Sequence, residues 1–140
     1  MTWLSHEHTQ FESAVHRCRS ACDSENWAIV RKIFQDFVTS YEVHAALEED
    51  VVFPMYEEHA ETSKEPTHSL RADHAQIFSL CRHIHDHLER GDYQGVPQEM
   101  SLLYRSLIRH HEKEEEIFLP MASEALLLDK EQVLSKLKFG

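Results

Sequence analysis

The sequence predicts an all-α protein: an up-down-up-down antiparallel four-helix bundle built from two repeated helical hairpins, with a short C-terminal helical tail. Three observations predict it. Four segments carry an apolar stripe at alternating steps of three and four residues, the spacing of one helix face. Glycine (three) and proline (four) are scarce, and no stretch alternates apolar and polar residues between turn signals. The second half of the chain repeats the first at an offset of 66 residues, without a gap.

The elements follow in order. The first stripe is Leu4, His8, Phe11, Val15, Cys18 and Cys22, and Asp23-Ser24-Glu25-Asn26 after it is polar and turn-like. The second is Val30, Phe34, Phe37, Tyr41, His44, Glu48 and Val51. Glu61 to Pro66 reads as the loop between the halves, with Pro66 near the start of the third helix. The third stripe is Leu70, His74, Ile77, Cys81, Ile84 and Leu88, closed by a turn at Gly91-Asp92. The fourth is Val96, Met100, Leu103, Leu107, His110, Glu114 and Ile117. Pro54 and Pro120 are expected to end or kink the second and fourth helices about two turns beyond each Glu. In the tail, Asp129 is placed to cap a short amphipathic segment through Val133, Leu134 and Leu137. A chain of 140 residues suits a single domain, 1–140, with repeat halves at about 4–58 and 70–124 and a tail at 121–140.

Each stripe is interrupted by His, or by His and Glu. The repeat sets His8 on His74, His44 on His110, Glu48 on Glu114, Glu7 on Asp73 and Trp27 on Tyr93. In an antiparallel hairpin, residues equidistant from the turn are level. His8 and His44 each lie 18 residues from position 26, and His74 and His110 each lie 18 from position 92. All four imidazoles therefore fall in one layer, roughly 27 Å from these turns at 1.5 Å per residue. Glu48 and Glu114 follow His44 and His110 by four residues, one helical turn on the same face. No Lys or Arg occupies a stripe to neutralise them. Buried unpaired carboxylates cost several kcal/mol each and repel one another, so cations are the expected neutraliser. Four imidazoles and two carboxylates suit a pair of iron or manganese ions. Two bridging Glu and two His on each ion would leave room for a bridging oxide or hydroxide and an exogenous ligand. His6, His16, His59, His68, His83, His85, His87 and His111 fall off the stripes or far from the layer and are expected in solvent.

The formal charge of −11 argues against nucleic acid or an anionic membrane as partner. No apolar run approaches a membrane span, and MTWLSHEHTQ lacks the basic and apolar regions of a secretory signal. Cys18, Cys22 and Cys81, an odd count at core-type positions, read as reduced buried thiols in a cytoplasmic protein.

The pattern His8, His44-x-x-x-Glu48, His74 and His110-x-x-x-Glu114, with Pro54 and Pro120 behind the acids, resembles the hemerythrin-like (HHE cation-binding) domain family over about residues 4 to 121. The resemblance implies a four-helix bundle holding a non-haem di-iron centre, two iron ions with an oxo or hydroxo bridge and two bridging carboxylates. Oxygen-carrying members have five His, the fifth on the third helix four residues from another; here the residue four beyond His74 is Phe78 and the one four before it is Leu70. They place the last acid five residues after its His, which would select Glu115, whereas the repeat and the stripe favour Glu114. Glu12, four beyond His8, is a candidate for the missing ligand, and Tyr41 for a ligand or a hydrogen-bond donor beside the ions. The implied function is binding of dioxygen, nitric oxide or hydrogen peroxide for sensing, storage or detoxification, with or without redox turnover. The alternative is a metal-stabilised interaction or iron-sensing module without catalysis.

Overall fold

The structure is a computed structural model that describes residues 2–59, 65–118 and 120. The tail expected at 121–140 lies outside the described residues. Helix α1 runs Thr2–Asp23, α2 Trp27–Leu47, α3 Phe53–His59, α4 Glu65–Arg90 and α5 Val96–Lys113. A wide π-type turn, Glu48–Val52, joins α2 to α3, and a second, Glu114–Phe118, follows α5. α1 packs on α2 and α5, and α4 packs on α5 and α2. Among the described residues this is the antiparallel four-helix bundle, helical apart from the hairpin turns and without strands.

The two hairpin turns are built alike. At the end of α1, the amides of Glu25 and Asn26 bond back to the carbonyls of Cys22 and Ala21. At the end of α4, Gly91 and Asp92 bond back to Leu88 and His87. This crossed pair of bonds satisfies the last carbonyls of a helix and needs a residue at positive φ. Gly91 supplies it at φ 71°, and its repeat partner Glu25 adopts φ 54° with a side chain to accommodate. Asn26 then starts α2, its side chain accepting from the Ile29 amide. Trp27 stacks on its repeat partner Tyr93 at 4.4 Å, tying the two turns together at this end of the bundle.

The stripes become the core. Phe11, Val15, Cys18, Cys22, Val30, Phe34, Phe37, Ile77, Cys81, Ile84, Leu88, Val96, Met100, Leu103 and Leu107 form one buried cluster, with the polar layer at its end away from the turns. Two expectations are corrected by the π turns. Pro54 does not end the helical run, which continues through it as α3: Pro54 lacks an amide for the α-type bond, and the ladder widens before it, Phe53 N–H reaching Glu48 O five residues back. The added residue shifts the face that follows. Ile117, assigned to the core by its spacing, is 53 % exposed, and Phe118 is buried in its place.

Candidate metal centre

The structure brings the six stripe residues into one buried layer. His8, His44, Glu48, His74, His110 and Glu114 are all essentially inaccessible to solvent. The His8 and His44 rings lie 5.2 Å apart, and those of His74 and His110 4.7 Å apart, so each pair is level across its hairpin. Two sets of four donors result, His8-His44-Glu48-Glu114 and Glu48-His74-His110-Glu114, each with its ligand atoms within 4.8 Å of one another. The two carboxylates are common to both. Glu48 Oε1 lies 3.3 Å from His44 Nε2 and 3.1 Å from His74 Nε2. Glu114 reaches His8 at 3.0 Å and His110 at 3.5 Å.

None of these inner contacts is a hydrogen bond. The Nε2 atoms of all four His and both oxygens of Glu48 and Glu114 are buried without a hydrogen-bond partner. Buried polar atoms are nearly always paired, and each orphan costs roughly 1–3 kcal/mol, so eight in one cluster require an external partner. Nitrogen and carboxylate donors converging on a common space fit divalent or trivalent cations.

The outer nitrogens are all occupied. Nδ1 of His8 donates to Glu115 at 2.8 Å, His44 to Glu7 at 3.0 Å, His74 to Glu49 at 2.9 Å and His110 to Asp73 at 2.9 Å. A carboxylate on Nδ1 fixes the tautomer, turns the Nε2 lone pair inward and makes it a stronger donor. These acids obey the repeat as well: Glu7 matches Asp73, and Glu49 matches Glu115. The wide turns help, because a π turn rotates less per residue, letting Glu48 face inward while adjoining Glu49 reaches His74. Sequence reasoning assigned these four acids no part as anchors. The available signal was their recurrence at 66 residues, immediately beside His8, Glu48 and their partners.

The electrostatics of the layer are set by its two carboxylates. Burial opposes the charge of Glu48, yet contacts with Glu114, His44 and His74 hold it well below the usual carboxylate range. Burial and the neighbouring charge of Glu48 push Glu114 well above it. Burial disfavours the His44 cation, but Glu48 and Glu7 outweigh it and raise its pKa to about 9. Tyr41 is fully buried with its hydroxyl unpartnered, and burial, then Glu48 and Glu114, keep that hydroxyl protonated.

Three further residues find definite places. Glu115 is on the outer side, bonded to His8, while Glu114 faces inward. Glu12 belongs to neither donor set and accepts from His111 Nδ1 at 2.7 Å. His111 is the correction: expected in solvent, it is 1 % exposed, because the α1–α5 seam closes over it. His6, His16, His68, His83 and His85 are exposed, and His87 is half-buried, donating to Glu99 at 2.5 Å.

A four-helix bundle with an inward layer of His and Glu defines a metal-binding bundle protein. The hemerythrin HHE cation-binding domain matches residues 1–122, and the chain belongs to that family. No curated protein and no solved structure matches it.

Proposed function

We propose that the protein is a non-haem di-iron protein that binds a small diatomic or peroxide ligand (dioxygen, nitric oxide or hydrogen peroxide) for sensing, storage or detoxification. His8 and His44 would hold one iron, His74 and His110 the other, with Glu48 and Glu114 spanning both. The observation that carries this reading is the set of converging inner donor atoms, buried and unpartnered, while every outer imidazole nitrogen is anchored. When bound, two irons supply variable oxidation states and an open position for a small ligand.

The chain supplies the rest. Glu7, Glu49, Asp73 and Glu115 orient the imidazoles before any ion arrives, so little reorganisation accompanies binding. Phe11, Phe53 and Phe118 surround the layer with apolar rings and keep bulk water out. Tyr41 keeps its proton and offers a hydroxyl donor to a polar guest in the layer. The three buried thiols, none in a disulfide, fit a reducing compartment such as the cytoplasm.

Metal analysis of the native protein tests the centre: about two irons per chain are expected, and one zinc overturns the reading. Optical spectra of the reduced protein, taken before and after each ligand, test the rest. A ligand-dependent charge-transfer band is expected. Two irons with spectra indifferent to all three ligands would leave a metal-stabilised module.

A further inference from the structure

The 66-residue repeat carries α1 onto α4 and α2 onto α5, so the α1–α5 seam of the bundle corresponds to the α2–α4 seam. Beside the donor layer the two seams are filled differently. In the α1–α5 seam the His111 ring lies flat on His8, centroids 4.0 Å apart, and its Nδ1 donates to Glu12 at 2.7 Å. The repeat partners of His111 and Glu12 are Ala45 and Phe78. Ala45 has no ring to set where His111 sits, and this seam opens into a groove of about 850 Å³ that both residues line.

The groove reaches the surroundings of the layer at its inner end. Glu49 lines it and accepts from His74 Nδ1 at 2.9 Å, and Ala45 is buried next in sequence to His44. Phe78 is half-buried and packs on the Tyr41 ring, 5.7 Å between centroids. Tyr41 in turn lies 5.8 Å from the His44 ring and 6.1 Å from the His74 ring, with its hydroxyl buried and unpartnered. The Phe78 ring thus stands between the groove and the tyrosine beside the donors. Phe34 and Val38 extend the apolar lining outward, which suits an uncharged molecule, since a charge loses its hydration there. A second opening, between α4 and α5, reaches His110 but measures only about 140 Å³ and is walled by Asp73, Arg105 and Arg109.

We propose that the α2–α4 groove is the route by which a small uncharged ligand reaches the centre, and that Phe78 is the gate at its inner end. The proposal rests on the ligand-binding reading above and adds the path and its direction. A gate acts on passage both ways, so altering it changes association and release together and leaves Kd where it was. A residue that touches the bound ligand changes Kd.

The test is stopped-flow nitric oxide binding to the anaerobic, ferrous-loaded chain. Phe78→Ala removes the gate and should speed association and release by one common factor of about tenfold, inside the range that on-rates cover among variants of one site. Ala46→Trp, at an exposed position on the groove wall, should slow both by a similar factor, and it decides the matter if Phe78→Ala does not fold. Leu102→Trp, which fills the smaller opening between α4 and α5, should change neither rate. Groove variants with wild-type rates overturn the route, and so does slowing by Leu102→Trp. A changed Kd in Phe78→Ala overturns the gate and makes the residue part of the ligand site. A wild type that takes up iron but binds no nitric oxide overturns the ligand-binding reading, and the route with it.

Discussion

Under the proposed function, Tyr41 would trade stability for ligand binding. Its hydroxyl is buried beside the donor layer with no partner, and its repeat counterpart is the apolar Leu107. Tyr41→Phe removes an unpaired polar atom, so the metal-free protein should gain about 1 kcal/mol in urea unfolding. The same change should weaken nitric oxide or peroxide binding to the iron-loaded protein about tenfold, the loss of one hydrogen bond, with iron content unchanged. Equal ligand affinity in both proteins would remove Tyr41 from the ligand site. The thiols behave oppositely. Burial raises Cys18 and Cys81 to about 12, and burial with the nearby Asp23 raises Cys22 to about 11, from an ordinary 9. Folding therefore favours the protonated thiols. Their contribution to stability is fully present below pH 9 and lost as pH rises through 11 to 12. Iodoacetamide at pH 8 should leave all three unmodified in the native protein and alkylate them after unfolding, as mass spectrometry would show.

At the scale of the element, the repeat lets each half act as a control for the other. Gly91 and Glu25 occupy the same position in the same helix-ending turn, both at positive φ. A residue with a Cβ is strained there by roughly 1–2 kcal/mol, partly offset in glycine by the entropy lost on folding. Glu25→Gly should raise stability by about 0.5–1 kcal/mol, and Gly91→Ala should lower it by a similar amount, both read from denaturant midpoints at unchanged m-value. Helix positions, hairpin turns and the level of the four imidazoles were legible in the sequence, because each depends on spacing along one element. The π turns were not. A proline only removes a bond, and whether the helix stops, bends or widens there depends on what packs against it. Hence Ile117 fell outside the core and Phe118 within it, and hence Glu48 and adjoining Glu49 both reach the layer.

At the scale of the whole molecule, the proposed centre predicts that metal occupancy is coupled to folding. Two carboxylates and four imidazoles converge at the end of an apolar core, and without cations their inner atoms are unpaired. Stripping the iron with a chelator should cost several kcal/mol. At roughly 3 °C per kcal/mol for a chain of this size, the melting midpoint should fall by about 10 °C or more and recover on adding ferrous ion. A midpoint indifferent to chelation would mean that the layer is stable unaided. The same layer also explains where reading the chain alone went astray. His111 was discounted because it lies one residue off the stripe of its own helix, but burial there is decided by α1, which closes over it and offers Glu12.

The sequence by itself determined the bundle, its two-hairpin repeat and the six residues that recur as its polar layer, since helical period and repeat offset are properties of the chain read along its length. Only the tertiary structure decided which acids anchor which imidazoles, where the helices widen, and that one seam encloses a fifth histidine while the other stays open. Those outcomes depend on distances between helices, and residues as far apart as His8 and Glu115 meet only when the chain has folded.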